Sequence, residues 1–200
     1  MSVYGDVPDI PISEKNVCKP LSFYGIGKLA SEHYLRIFRS KGLEPTTLRI
    51  FNVYGPGQNL SNLRQGMISI YLAQMLKNQK IIVKGSPNRF RDFIYIDDVV
   101  DLTIMIVNDN ISIGKIYNIG TGRKTIVQDA LSKLIKLYKK DIKVEFAEPT
   151  LGDQSGIIAN IQLLENDFEF EDLTDLDSGL KKMFSWAKYM HSNTESFLKN

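Results

Sequence analysis

Hydrophobic positions along this chain follow two spacings, one typical of helices and the other of strands. A broad apolar stripe at helical spacing predicts a helix from about Ser22 to Lys41, with Ser22 as its N-cap and Gly42 as the residue that closes it. His33 lies within this stripe, so we expect it to be packed in the core rather than to bind a ligand. Residues 46–51 form a predicted strand, β-branched and apolar with Arg49 inserted.

The same spacings continue to the C-terminus. Helices are predicted over about 65–78, from 97 or 98 to 108, from about 125 onward and over 177–191, and strands over 80–84, 93–96, 116–119 and 144–146. Asp97 or Asp98 is expected to cap the second of these helices, and Thr125 to Gln128 has the form of a capping box. Strands that alternate with helices indicate an α/β fold with a mainly parallel sheet. The strands are too few for a complete doubly wound sheet.

Composition narrows the functional class only slightly. The 200 residues are 43% hydrophobic and 24% charged, which is ordinary for a soluble protein of about one domain. The net charge of +2 is too small to indicate a nucleic-acid partner, and no apolar run is long enough to span a membrane. Cys18 is the single cysteine, so no internal disulfide can form, which fits a cytoplasmic location.

Tyr24 and Lys28 are the main candidates for chemistry. They lie four residues apart on one face of the predicted helix, where the ammonium can turn the phenol into a usable acid or base. The pair alone is weak evidence, since this spacing often arises by chance on a solvated surface. Its context is more specific, because Val3-Tyr4-Gly5 precedes the segment Ser22-Phe23-Tyr24-Gly25 by about twenty residues.

Three further motifs follow in order. Residues 48–58 read LRIFNVYGPGQ, residues 91–100 read RDFIYIDDVV and residues 117–122 read YNIGTG. On spacing alone, the first is a strand followed by an ordinary Gly/Pro turn. Asp97 and Asp98 are better explained by a helix N-terminus than by a metal or acid pair, so no metal site is predicted.

Gly25-x-Gly27-x-x-Ala30 matches a relaxed dinucleotide-binding fingerprint, which we reject. The fingerprint needs a strand directly before it, and residues 19–22 read KPLS. No other such fingerprint is present in the sequence. The Gly-rich cradle for the phosphates of a dinucleotide is therefore missing from this chain.

Taken together, the four motifs resemble the extended short-chain dehydrogenase/reductase family, in particular its NAD-dependent epimerases and dehydratases. The resemblance implies the C-terminal part of a Rossmann-type parallel sheet plus a small α/β substrate-binding lobe. Residues 1–56 would be a remnant of the NAD-binding Rossmann domain. Residues 57–200 would be mainly the substrate-binding lobe, with 91–120 returning to the Rossmann part.

The resemblance assigns the cofactor-binding and catalytic roles residue by residue. Tyr24 would take a proton from a sugar hydroxyl, and Lys28 would hold the ribose of NAD and tune Tyr24. Phe51 would lie near the nicotinamide. A third catalytic residue, a Ser or Thr just before Val3, and the nucleotide-binding half would lie outside this chain.

The resemblance also assigns substrate contacts. Asn52 would touch the sugar nucleotide, and Arg91 would grip its diphosphate, a role for which the planar guanidinium is suited. Family members often carry an Arg shortly before a Gly-Asp pair, whereas residues 149–153 read PTLGD. This departure weakens the expected affinity, although Asp153 would still meet a ribose hydroxyl.

The implied activity is that of an epimerase acting at C4 of a UDP-hexose, by transient oxidation and re-reduction. A 4,6-dehydratase or a reductase is the alternative, and Met1 and Ser2 lack the acidic pair typical of dehydratases. A non-catalytic truncated remnant is the alternative of another class, since the isolated chain is expected to be inactive. Family members commonly form homodimers through the Tyr–Lys helix, so we expect that helix to expose apolar surface and to promote association.

Overall fold

The computed structural model describes residues 2–63, 66–149 and 154–197. The helices in this part of the chain are α1 (Phe23–Arg39), α2 (Met67–Asn78), α3 (Ile96–Val107), α4 (Val127–Tyr138), α5 (Gln162–Asp167) and α6 (Leu176–Phe197). The strands are β1 (Pro11–Ile12), β2 (Thr47–Ile50), β3 (Asn52–Tyr54), β4 (Lys80–Lys84), β5 (Phe90–Arg91), β6 (Phe93–Tyr95), β7 (Ile116–Ile119), β8 (Thr125–Ile126), β9 (Lys143–Ala147) and β10 (Gly156–Ala159).

Most strand pairs are parallel. Strands β1, β10, β5 and β8 form a sheet in that order, and the pairs β2–β7, β3–β6 and β4–β9 each form a two-stranded sheet. Within the described ranges, β5–β8 is the single antiparallel pair. The predicted α/β fold with a mainly parallel sheet is confirmed.

The strand register brings the sequence motifs side by side. Arg49 on β2 lies opposite Asn118 on β7, and Asn52 on β3 lies opposite Phe93 on β6. Residues that are far apart in sequence therefore meet across parallel strand pairs.

Buried apolar side chains form three clusters. The first joins α2, α4 and α6 with β4 and β6, and the second packs α3 and α5 against β7. The third contains Val3, Tyr4, Ile12, Phe51, Ile157 and Ala159. Leu29 of α1 packs against the third cluster, which therefore supports the helix that carries Tyr24 and Lys28.

Helix α1 begins as predicted but ends earlier. Ser22 is its N-cap, and the Ser22 hydroxyl accepts a hydrogen bond from the Gly25 N–H at 3.0 Å. The C-cap is Ser40, so Gly42 lies two positions beyond it. Gly42 does adopt a left-handed φ of +90°, as a residue that turns the chain away from a helix often does.

The prediction that His33 is packed in the core is wrong. His33 is exposed, and Gly25 is the single fully buried residue of α1, a helix that the structure describes completely. The apolar stripe of α1 also faces outward, with Phe23 94%, Tyr34 64% and Ile37 51% exposed. The helix lies at the surface of the protein and packs through a narrow face.

The predicted cap of α3 is wrong. Its N-cap is Tyr95, and Asp97 and Asp98 lie in the first turn. Asp98 instead accepts hydrogen bonds from the N–H and the hydroxyl of Thr174, at 3.0 and 2.7 Å. This carboxylate therefore ties α3 to the segment before α6.

The predicted capping box before α4 is also wrong. Thr125 and Ile126 form β8, and Ile126 is the N-cap of α4 with no side-chain hydrogen bond. Pairing with β5 competes with the capping-box conformation and prevails here.

Candidate functional site

Tyr24 and Lys28 lie on successive turns of α1 at the rim of a cavity. The Lys28 Nζ atom is 5.5 Å from the centroid of the Tyr24 ring. Both side chains line a cavity of about 310 Å³ between α1 and β2, together with Ser2 and Glu32. The Tyr24 side chain is 61% exposed, so the phenol is accessible to a bound molecule.

Glu32 joins α1 to β2 through Arg49. The Arg49 Nε and Nη2 atoms donate to the two carboxylate oxygens of Glu32, at 3.0 and 2.8 Å. Arg49 is buried, and burial opposes its charge, but hydrogen bonds to Glu32 and Tyr4 prevail and raise the pKa of the guanidinium. This bidentate pair is the strong form of an ion pair between carboxylate and guanidinium.

Tyr4 continues the network into the core. Its hydroxyl accepts a hydrogen bond from Arg49 Nη1 at 3.0 Å and donates to Asn118 Oδ1 at 2.5 Å. The guanidinium also lies over the Tyr4 ring, 4.8 Å from its centroid. Burial raises the pKa of Tyr4 to about 12, although the hydrogen bond with Arg49 acts in the opposite direction.

Phe51 and Asn52 follow directly after β2. Phe51 is buried in the third apolar cluster, and its N–H donates to the Ile119 carbonyl at 2.9 Å. The Asn52 N–H and Nδ2 both donate to the carbonyl of Asp92, each at 3.1 Å. The Asn52 side chain is thus oriented by the residue that follows Arg91 in the sequence.

Arg91 is buried at the end of β5. Its Nη1 atom donates to the Phe90 carbonyl at 2.7 Å, which holds the guanidinium close to the main chain of β5. Asp153, the third predicted substrate contact, lies outside the described residues. The lining of the Tyr24 cavity, as described, stops at Ile50, one residue before Phe51.

Asp92 is a structural residue that sequence reasoning missed. Its Oδ1 atom accepts from the N–H and hydroxyl of Thr121, and its Oδ2 atom accepts from the N–H groups of Gly122 and Ala159. Burial raises the pKa of Asp92, while the bonds from Thr121 act in the opposite direction. The only sequence signal was its place in the RDF motif beside the candidate Arg91.

Two other kinds of site are absent from the described ranges. No group of three or more His, Cys, Asp or Glu side chains there could hold a metal ion. No helix in the same ranges has the length and hydropathy needed to cross a membrane.

A Tyr–Lys helix set against a parallel α/β sheet defines the short-chain dehydrogenase/reductase class of enzymes. The model of the NAD dependent epimerase/dehydratase family matches residues 1–120, more than half of the chain. The chain belongs to this family.

Curated relatives and solved structures agree with the assignment. The chain is 34% identical to a putative UDP-glucose 4-epimerase of Methanocaldococcus jannaschii, over 94% of this chain and 60% of that protein. It resembles the Thermotoga maritima UDP-glucose 4-epimerase solved with UDP-glucose, at 30% identity and a TM-score of 0.86, covering 94% of this chain and 61% of that one. It also resembles the Bacillus cereus UDP-glucuronic acid 4-epimerase in complex with UDP-glucuronic acid and NAD, at 28% identity and a TM-score of 0.87. That match covers 94% of this chain and 59% of the other. The chain thus spans about 60% of the length of these proteins.

Proposed function

We propose that this chain carries the catalytic helix and the substrate-binding lobe of an NAD-dependent epimerase that acts on C4 of a UDP-hexose. The observation that carries the proposal is the Lys28 ammonium beside the exposed Tyr24 ring at a cavity rim, in a chain of the epimerase/dehydratase family. The division into a Rossmann part (1–56, with 91–120) and a substrate-binding lobe (the rest of 57–200) belongs to the same proposal.

Tyr24 is the proposed acid and base. The Tyr24 oxygen would take a proton from a sugar hydroxyl and return it, acting in turn as general base and general acid. The Lys28 Nζ atom lies 5.5 Å from the centroid of the Tyr24 ring, so its positive charge is beside this side chain. The exposed phenol has room for a sugar beside it, in a cavity at the small end of the range for ligand sites.

NAD is the proposed cofactor, and the residues present fit one end of it. Lys28 would hold its ribose, Tyr24 would face its nicotinamide, and Phe51 would close that side from the third apolar cluster. When bound, NAD supplies the hydride acceptor and donor at the sugar carbon. No Gly-rich phosphate cradle occurs in this sequence, so the chain by itself is expected to bind NAD weakly and to turn nothing over.

The substrate contacts proposed are Asn52, Arg91 and Asp153, with the UDP-hexose diphosphate at Arg91. Support comes from the hydrogen bond that Asn52 Nδ2 donates to the Asp92 carbonyl, which brings Asn52 next to the residue that follows Arg91. A planar guanidinium suits a diphosphate because it can donate to two oxygens at once.

A reductase acting on a related nucleotide sugar is the second candidate. A dTDP-4-dehydro-6-deoxyglucose reductase of Escherichia coli is 33% identical over 91% of this chain, which covers 57% of that protein. The same Tyr–Lys pair would then move a proton in one direction only. A non-catalytic remnant remains the alternative of another class.

We also propose a homodimer and a cytoplasmic location. The exposed apolar residues Phe23, Tyr34 and Ile37 on α1 support association, because contiguous apolar surface is usually covered in solution. Cys18 is a free thiol, which suits a reducing compartment.

Calorimetry on the purified chain tests the substrate assignment. UDP-glucose is titrated into the chain and into its Arg91→Met and Asn52→Ala variants, with circular dichroism to verify folding. Arg36→Met, an exposed arginine on α1, is the matched control. We expect saturable binding that weakens at least about tenfold in the two site variants and is unchanged in the control. Absence of binding, or equal affinity in all four proteins, would overturn the assignment.

A further inference from the structure

Helix α1 has few apolar contacts that could fix its rotation on the sheet. Gly25 is its one fully buried residue, all of the helix being described, and Leu29 is half-buried against the third cluster. Apolar contacts therefore hold α1 over a narrow face only, and a directional polar contact adds to them.

The Glu32–Arg49 pair supplies that contact. Both side chains are largely shielded from water, at 14% and 6% exposure, and two hydrogen bonds of 3.0 and 2.8 Å join them. The third nitrogen of Arg49 donates to the Tyr4 hydroxyl at 3.0 Å and to the Glu14 carbonyl at 3.1 Å. A guanidinium held at every nitrogen has one orientation, so Glu32 has one as well.

Glu32 also lies on the same face of α1 as the proposed catalytic pair. Tyr24, Lys28 and Glu32 are spaced four residues apart and line the same cavity. Side chains at this spacing are neighbours on a helix surface, so an unpaired Glu32 carboxylate could attract the Lys28 ammonium. Lys28 would then point away from Tyr24.

We propose that Arg49 is a positioning residue that engages the Glu32 carboxylate, stops it from drawing the Lys28 ammonium away and so keeps that ammonium beside Tyr24. This inference rests on the proposed acid–base role of the Tyr24–Lys28 pair. Arg49 acts through Glu32 and contacts neither reacting group. An arginine with a purely structural role would change stability when replaced but would leave the Lys28–Tyr24 contact intact.

The contact can be read by NMR on the full chain. Lysines are labelled by reductive ¹³C-methylation, which preserves their charge, and the Lys28 signal is assigned with a Lys28→Arg variant. The change in the Lys28 shift on Tyr24→Leu measures the ring contact. That change is compared in the parent chain, Arg49→Met, Glu32→Gln and the double variant Glu32→Gln/Arg49→Met.

We expect Arg49→Met to lose at least half of this shift change, because the free Glu32 carboxylate draws Lys28 away. Glu32→Gln and the double variant should retain most of it, since neither has a carboxylate to compete. Equal loss in the single Arg49→Met and the double variant, or no loss in either, would overturn the proposal. If Arg49→Met does not fold, Arg49→Lys replaces it, because an ammonium cannot donate to both Glu32 oxygens in the same way. A partial loss of the shift change caused by Tyr24→Leu is then expected. A shift change equal to that in the parent chain would contradict the proposal.

The result of this NMR experiment can be distinguished from a failure of the proposed function. The Lys28 signal needs no bound ligand, so failure of UDP-glucose binding would count against the function and leave this test intact. Unchanged Lys28 contact in the Arg49 variants, with ligand binding preserved, would count against the positioning role alone.

Discussion

Asp92 accepts hydrogen bonds from both the main-chain N–H and the hydroxyl of Thr121, at 2.8 and 2.6 Å. The same buried carboxylate accepts from the N–H groups of Gly122 and Ala159, at 2.9 and 3.0 Å. One side chain thus joins the turn after β7 to the end of β10. Its own carbonyl holds Asn52, so the scaffold and the candidate substrate site share this residue.

Replacing Asp92 by Ala is expected to lower the free energy of unfolding by about 2–4 kcal/mol, because three N–H groups and the Thr121 hydroxyl lose their buried acceptor. Urea unfolding followed by circular dichroism measures the effect. Asp101→Ala, at an exposed position of α3, is the control and should change stability by less than about 0.5 kcal/mol. Similar losses in the two variants would contradict this account of Asp92.

The raised pKa of Tyr4 predicts that the protein loses stability at alkaline pH. Its pKa is about 12 in the folded protein and near ~10 in the unfolded chain. Because the folded-state pKa is raised, the contribution of protonated Tyr4 is fully present below pH ~10 and is lost as the pH rises through about 12.

Tyr4→Phe is therefore expected to destabilise the protein by about 1–2 kcal/mol at neutral pH, through the lost hydrogen bonds to Arg49 and Asn118. The difference in the free energy of unfolding between parent and variant should disappear as the pH rises from ~10 to ~12. Tyr189→Phe, at an exposed site on α6, should show no such pH dependence. A gap that stays constant to pH ~12 would contradict the assignment.

Replacing each of two helical glycines by alanine should change the stability of the protein in opposite directions. A Cβ atom at Gly179 in α6 would overlap the buried hydroxyl and ring of Tyr54, whereas a Cβ at Gly27 in α1 meets nothing within 4 Å. Gly179→Ala is expected to cost about 1–3 kcal/mol from overpacking. Gly27→Ala should stabilise by about 0.5–1 kcal/mol through helix propensity. Thermal unfolding of both variants checks this, and a stabilised Gly179→Ala would refute it.

Local features were predictable from the sequence and long-range partners were not. Ser22 was identified as an N-cap because capping is decided within one helical turn. In the structure Asp97 is not the N-cap of α3, and His33 is exposed. Both outcomes depend on what packs against each helix, which the local sequence pattern does not contain. Burial of Arg49 likewise depends on Glu32, 17 positions away on another element.

The candidate site shows the same difference between local features, which are predictable from the sequence, and long-range partners, which are not. Tyr24 and Lys28 were found from helix spacing and motif context, and the structure brings them to one cavity. Asp92 was missed because its partners, Thr121 and Ala159, come from distant parts of the chain. Very short strands such as β1, of two residues, leave too little periodicity to be recognised.

Association through α1 is testable by sedimentation. Ile37→Lys places a charge on the exposed apolar stripe, so we expect it to raise the dimer dissociation constant at least about tenfold. Tyr189→Lys alters an exposed side chain on α6 and should leave self-association unchanged. A chain that is monomeric at all concentrations would show that this surface is not a dimer interface.

The most direct test of the account concerns Tyr24 in a complete enzyme. The chain is joined to the part of the Methanocaldococcus jannaschii relative outside the matched 60%, and UDP-galactose to UDP-glucose conversion is measured with NAD. Tyr24→Phe is compared with Tyr34→Phe, since the two tyrosines share helix α1 and are 61% and 64% exposed. The account predicts a loss of at least about 100-fold for Tyr24→Phe and no loss for Tyr34→Phe. Undiminished conversion by Tyr24→Phe would contradict its role as the acid and base.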